Sequence, residues 1–400
     1  MTKRKEIPTI PSSIHTFSIT GSIRSKYTTQ KILEAMRHAV QEGEYKWCGQ
    51  NRIVKCGGGL MLTLAISKND DTYILINDIN LARLAGSDSY LALTDLSTNG
   101  LAEQSHALEQ ELTYLGISLK DDNILFYLRR LDLTQDFYVK SDPSLIIRNL
   151  RFAGETGLYR GIHPNHFIAH NEKHSARWTS RWYNISVYDK CAEIKKRDQK
   201  YHNVPDSDLL VSRNRVRYEV SLNRLFLKKF EHMMRIQKEF DHFGISDGIK
   251  LYLETLAPYI PTILRSIASD LFGEHSWYRI SAAQEEVDFA CRVGLIDEKS
   301  CRITIEYLRS LNTPDGKDIF QLTDTKESII REVLDQLEIN RVIIPDRILT
   351  KRELQRFPCT VLSQYVTEPG KNLDLMGLPK RSWEKSQQIS HPHNKHTGSY

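Results

Sequence analysis

The chain has 400 residues, 40% of them hydrophobic and 26% charged, which is the balance of a globular protein with room for two or three domains. Its net charge of +5 permits a nucleic-acid partner without demanding one. No run approaches the about 20 apolar residues of a membrane span, the basic start MTKRKEIPTIPSS lacks the apolar stretch of a secretory signal, and the six cysteines form no CxxC pair, so a reduced, cytoplasmic protein with no membrane contact and no structural zinc is expected.

Residues 1–13 read as a flexible basic leader. A strand follows at Ile14–Ile19, then a helix at Thr28–Gln41 with apolar residues at helical spacing and Thr28 or Thr29 as its cap. Cys56-Gly57-Gly58-Gly59 reads as a turn into a hairpin, Leu60–Ser67 and Thr72–Ile76; a phosphate loop is disfavoured because no GK[ST] follows. A helix at Leu101–Leu115 precedes a long strand, Ile124–Val139, and a helix at Pro143–Phe152. A Gly/His-rich loop leads to a strand at Arg177–Asp189, a helix at Ala192–Lys200, a strand at Arg213–Leu222 and an amphipathic helix from Asn223 to about Phe243. Beyond Ile245 the pattern is mainly helical: Gly248–Tyr259, Pro261–Phe272, Ala282–Val293, Glu298–Leu311 and Lys326–Leu337, with a short strand at Arg341–Ile344.

The expected fold is therefore α+β, an antiparallel sheet flanked by helices over residues 14–243, then a helical C-terminal domain over 244–366 with a winged-helix-like end. Residues 367–400 read as a disordered polar tail.

Basic residues crowd between Arg177 and Arg235, interleaved with Trp178, Trp182, Tyr183 and Tyr188. Cations suit a phosphate backbone and flat rings suit unpaired bases, although such runs are commonly just solvated surface.

Three strands carry chemistry. Side chains alternate along a strand, so Arg130, Asp132, Thr134 and Asp136 share one face. Carboxylates on a central strand need a partner, either a metal or a neighbour such as Arg129 or Arg130. In the second strand Asn184, Ser186, Tyr188 and Lys190 share a face, which puts a phenol beside an ammonium that favours the phenolate. Alone, a Y-x-K is far more often a half-buried strand tyrosine covered by a lysine, and the motif is weak. In the third, Arg215, Arg217, Glu219 and Ser221 share a face; Glu219 completes a metal site with Asp132 and the arginines clamp phosphates, or arginine and glutamate simply pair.

In order and spacing, Arg130-Leu131-Asp132-Leu133-Thr134, Trp182-Tyr183-Asn184 with Tyr188-Asp189-Lys190 and Glu193, and Arg217-Tyr218-Glu219 followed by Arg224, Lys228, Lys229 and Phe230 resemble the gene II/gene X family of filamentous-phage replication initiators. The likeness covers roughly residues 124–235. It implies a rolling-circle initiator that nicks one strand of a double-stranded origin, with Tyr188 as nucleophile and Lys190 assisting. It also implies a 5′-phosphotyrosyl intermediate, a free 3′-OH and later rejoining. A divalent metal, Mg²⁺ or Mn²⁺, is implied at Asp132 and Glu219, with Asp136 and Glu193 as further candidates. Arg130, Arg215, Arg217, Trp182, Lys228 and Lys229 are the expected DNA contacts. The implied partners are origin DNA, single-stranded DNA and a bacterial host's helicase and polymerase, with the protein as a homo-oligomer on the origin.

Two departures stand out. The histidine triplet of related nickases has no counterpart except His391-Pro392-His393 in the tail, and His163, His166, His170 and His174 offer an alternative ligand cluster in a loop. A non-catalytic origin-binding initiator, or a relaxase or transposase using Tyr183 or Tyr201 as well, are the competing expectations.

Overall fold

The computed structural model describes residues 9–66, 72–117, 124–138, 143, 147, 168–172, 174–201, 204–234, 244–272, 276–311, 320, 321 and 323–344. The expected helix at Pro143–Phe152, His163 and His166, Leu349–Arg356 and the tail, including His391 and His393, lie wholly or mostly outside the described residues.

Ten strands form one sheet: β1 (Thr9–Ile23), β2 (Tyr45–Gly49), β3 (Arg52–Lys55), β4 (Met61–Ile66), β5 (Thr72–Ile79), β6 (Ile124–Tyr138), β7 (Ile168–Glu172), β8 (Ser175–Thr179), β9 (Tyr183–Asp189) and β10 (Arg215–Asn223). Their order is β2-β3-β4-β5-β1-β6-β10-β9-β8-β7, and the neighbours pair antiparallel. The two longest strands, β1 and β6, lie side by side at the centre. β1 starts at Thr9, so Thr9–Ser13 belong to the sheet rather than to a leader.

Alternation gives the sheet two unlike faces. Phe17, Leu131, Leu133, Ile185, Val187, Val216, Tyr218 and Val220 are buried on the apolar face. They share one buried cluster with helices α1 (Lys26–Gln41), α3 (Thr98–Tyr114), α6 (Arg224–Met234), α7 (Gly244–Leu256) and α8 (Ile260–Phe272). The short helices α2 (Leu81–Leu84), α4 (Lys190–Tyr201) and α5 (Asp206–Val211) complete the unit. Helices α7 and α8, expected in the C-terminal domain, thus join the core of the sheet unit: α8 packs against β6 and β1, and α7 against α3 and, through Tyr252, Phe230 of α6. A second buried cluster joins α9 (Ile280–Arg292), α10 (Glu298–Ser310) and α11 (Asp324–Gln336) to a parallel pair, β11 (Ser276–Arg279) and β12 (Ile339–Ile344).

Two local signals correct the expected boundaries. The single strand expected at Arg177–Asp189 is a hairpin: the Ser180 hydroxyl accepts from the amides of Trp182 and Tyr183 and turns the chain. Lys190 is not a strand residue either. The Asp189 carboxylate accepts from the amides of Cys191 and Ala192, so it caps α4 and Lys190 becomes the first helical residue.

Asp136 lies beneath the polar face. Its carboxylate takes Arg217 Nε at 2.7 Å and Nη2 at 2.8 Å, and Arg215 Nε at 2.7 Å. Burial alone would raise this carboxyl, but the two guanidiniums, Arg217 foremost, hold it down at about 2. Its contribution to stability is present above the ordinary carboxylate pKa and is lost as pH falls through about 2. Asp136→Ala leaves two guanidiniums buried without their anion. It is expected to cost about 3–5 kcal/mol in denaturant unfolding at neutral pH; a loss below about 1 kcal/mol contradicts the pairing.

Candidate functional site

The polar face assembles the three strands read from sequence. In register, Asp132 faces Ser221, Thr134 faces Glu219 and Asp136 faces Arg217 across β6 and β10. Glu219 faces Ser186 and Arg217 faces Tyr188 across β10 and β9. Above them opens a cleft of about 700 Å³, lined by Tyr188, Glu219, Asp132, Arg130, Lys190 and Glu193 among others.

The centre of the site is one carboxylate oxygen. Glu219 Oε2 accepts the Tyr188 hydroxyl at 3.2 Å and lies 2.9 Å from His15 Nδ1. An ionised carboxylate only accepts, so Nδ1 carries the proton. Burial raises the Glu219 carboxyl, yet the His15 hydrogen bond and the charges of His15, Arg217 and Lys190 outweigh it and leave it below its ordinary value. Burial, then Arg217, lowers the imidazole pKa below its ordinary value, with Glu219 opposing.

A backbone irregularity brings His15 here. The pairing of β1 with β6 slips between Ile14 and Thr16. Ile14 and Phe17 both enter the core, and the extra residue turns both His15 and Thr16 toward the cleft. Bulges next to active sites commonly re-aim side chains in this way. Simple alternation gives no warning of it, and His15 was not among the residues expected from sequence; a histidine inside a strand whose apolar residues fall out of step is the signal that was there.

Asp132 is almost wholly buried. Thr16 donates to its Oδ2 and Arg130 Nη2 lies 3.1 Å away, while Oδ1 has no hydrogen-bond partner among the described residues. Burial and then the Glu219 charge raise its carboxyl to about 6, with Arg130, Thr16 and Ser221, its neighbour across the strand pair, opposing. Two carboxylates facing one cleft, one with an orphaned oxygen, suit a hard cation that takes one or two carboxylates and completes its shell with water and phosphate. No group of three or more His, Cys, Asp or Glu side chains able to hold a metal occurs among the described residues.

The other expected ligands are engaged elsewhere. Asp136 is enclosed by Arg215 and Arg217. Glu193 takes Lys190 Nζ at 2.7 Å and also pairs with Arg197. His174 is exposed at the cleft edge, 3.9 Å from Asp189.

Tyr188 itself is held protonated. Burial raises the phenol well above its ordinary value and the Glu219 charge adds to this, while Arg217 works against both. Lys190, expected to aid the phenolate, lies 5.8 Å from the ring centroid and is tied to Glu193. Burial and then Arg217 bring its ammonium down to about 8.

The expected DNA contacts divide. Arg130 lines the cleft. Arg215 and Arg217 are buried beneath it and bound to Asp136, so they are placed to set the field of the site rather than to grip a strand. Trp182 stacks with Lys229 and packs against the apolar cluster, away from the cleft lining; Lys228 is exposed on α6. Trp178 is a core residue. The cations that do line the outer cleft are Lys46, Lys55, Arg83, Arg177, Lys196 and Arg197, several of them on β2, β3 and α2, elements not anticipated from sequence.

Because its pKa is raised on folding, Asp132 contributes stability that is present below the ordinary carboxylate value and is lost as pH rises through about 6. Asp132→Asn removes that titration. The variant is expected to exceed the wild type in urea stability at pH 8 by up to about 3 kcal/mol, with the gain vanishing near pH 4. A variant less stable at pH 8 than at pH 4, relative to wild type, rejects the buried, repelled carboxylate.

No family model matches the chain, and none of the curated proteins matches it. Among solved structures, a rolling circle replication initiator protein from Geobacillus stearothermophilus is similar at a TM-score of 0.29 and 10% identity, covering 65% of this chain and 86% of that one.

Proposed function

We propose that the chain is a rolling-circle replication initiator of the gene II/gene X type that nicks one strand of a double-stranded origin with Tyr188. The observation that carries this reading is a phenol on the floor of a basic cleft, hydrogen-bonded to Glu219 and next to the buried Asp132. A pure DNA binder gains nothing from two carboxylates turned toward a polyanion.

In the proposed reaction Tyr188 Oη attacks the phosphorus of a phosphodiester. The P–O3′ bond breaks, the 3′-oxygen leaves and takes up a proton from water in the open cleft, and the 5′-phosphate stays on the tyrosine. The phenolic proton departs along its hydrogen bond to Glu219. Arg217, in register with Tyr188, supplies fixed positive charge under the forming phenolate and phosphate. Mg²⁺ or Mn²⁺ held by Asp132 and Glu219 would supply neutralisation of both carboxylates and Lewis-acid polarisation of the phosphoryl oxygen. The phosphotyrosyl bond resembles the bond broken, so a later 3′-OH reverses the step and closes the strand. The free 3′-OH is what a host polymerase extends once a helicase parts the strands.

His15 acts through Glu219 as a positioning residue, since its Nδ1–H fixes the oxygen that takes the phenolic proton. Partners of this kind typically contribute about 10–100-fold.

The test is nicking of a supercoiled plasmid bearing the element's own origin, with Mg²⁺. Tyr188→Phe is expected to give no covalent protein–DNA adduct, and Asp132→Ala no cleavage with DNA binding retained. His15→Ala is expected to slow nicking about 10–100-fold, and His15→Asn, whose amide can replace Nδ1–H, to recover most of it. An adduct from Tyr188→Phe sinks the nucleophile; equal rates for His15→Ala and wild type remove His15. Binding by the wild type with no nick favours the non-catalytic initiator.

A further inference from the structure

The lining of the cleft that holds Tyr188 includes a second group of residues that the chemistry at Glu219 does not use. Between β3 and β4, Gly57, Gly58 and Gly59 all have positive φ, at 91°, 87° and 95°. A Cβ on Gly57 would meet nothing within 4 Å, and one on Gly58 only Arg83 Nε at 3.8 Å. A Cβ on Gly59 would press on Arg83 Cβ at 3.2 Å. The turn therefore offers bare backbone to the cleft and lets the Arg83 stem lie against its base.

Arg83 is fixed from several sides. Asn80 caps α2 by accepting the Arg83 amide at 3.0 Å and donates its own amide to Gly59 O at 2.9 Å. The guanidinium donates to Gly57 O and, at 3.2 Å, to Asp88 O, and lies 4.2 Å from the Tyr90 ring centroid. Arg197 approaches the same ring at 5.7 Å. Tyr90 is anchored in turn by a buried carboxylate: Asp208 takes its amide at 2.6 Å and the Ser89 hydroxyl at 2.8 Å. Gly57–Gly59, Arg83, Tyr90 and Arg197 all line the cleft.

This is a planar, cationic surface whose parts are ordered in advance, next to a strip of backbone without side chains. A guanidinium plane and an aromatic ring accept an unpaired base, guanidinium charge attracts phosphate, and bare glycine leaves room for a sugar–phosphate chain. A paired base keeps its faces inside the duplex and cannot use such a surface. We propose that the Gly57–Gly59 turn, Arg83, Tyr90 and Arg197 form a subsite for single-stranded nucleic acid. Resting on the nicking reading, it holds the unpaired strand beside the phosphate that Tyr188 attacks.

The test is made with the full chain in EDTA, so that cleavage does not enter. Fluorescence anisotropy follows binding of a single-stranded oligonucleotide of about 12 nucleotides and of a duplex of the same length. Arg83→Gln and Tyr90→Leu are expected to weaken single-strand binding about fivefold or more, with duplex binding changed less than about twofold. Arg83→Gln should also flatten the log Kd against log salt slope for the single strand by about 0.7. Wild-type protein is crosslinked in parallel to an oligonucleotide carrying 5-iodouracil, and the attachment is mapped by mass spectrometry; Tyr90 is the expected position, whatever the variants do to folding. Unchanged single-strand affinity in folded variants, an equal loss for duplex, or crosslinks confined to residues away from this wall overturns the subsite. The nicking reading is judged separately, by the covalent adduct with Mg²⁺: binding at this wall without an adduct removes the nickase and leaves the subsite, and an adduct without it does the reverse.

Discussion

Under the cleft floor one carboxylate, Asp136, neutralises two guanidiniums that the sheet has taken out of water. Charge removed from solvent is costly unless its partner is close and well aimed, and here hydrogen bonds of 2.7, 2.7 and 2.8 Å meet that condition. With Arg217 fixed there, its charge falls on everything above it. It lowers the Glu219 carboxyl, the His15 imidazole, the Lys190 ammonium and the Tyr188 phenol alike. The electrostatics of the site are set from below by a group that no substrate touches.

The carboxylates above it are in electrostatic conflict. Asp132 and Glu219 repel each other in a buried place, and one of them resolves the conflict by holding its proton more tightly. The phenol of Tyr188 is raised by the same negative charge. On the proposed reading, positive charge and a phosphate arriving together would relieve both the carboxylates and the phenol. Groups arranged at a cost to stability and facing a cleft are more readily explained by function than by folding.

Much of this was legible in the residues. Strict alternation in Leu128–Phe137, Tyr183–Tyr188 and Arg215–Ser221 correctly puts Asp132, Asp136, Tyr188, Arg217 and Glu219 on one face, because a two-faced sheet makes period two a physical requirement. The α+β class, with a large antiparallel sheet and a helical C-terminal part, was equally legible. Depth was not. Arg215 and Arg217 look like phosphate grips in sequence, and only the three-dimensional partner Asp136 shows them buried. Lys190 looked like a strand neighbour of Tyr188 because the capping role of Asp189 was missed. His15 was hidden by a bulge, which breaks the periodicity that made the rest readable. The short strands β2 and β3 and the four-residue α2 carry too little pattern to be seen, yet they supply Lys46, Lys55 and Arg83 to the cleft.

The proposed function turns on one bond, between Tyr188 Oη and a DNA 5′-phosphate. The most direct measurement is to incubate wild-type protein with the supercoiled origin plasmid and Mg²⁺, digest the covalent complex with nuclease and protease, and locate the nucleotide-bearing peptide by mass spectrometry. The account predicts a nucleotide on Tyr188. A nucleotide on another residue, or a nicked plasmid with no attached peptide, contradicts it.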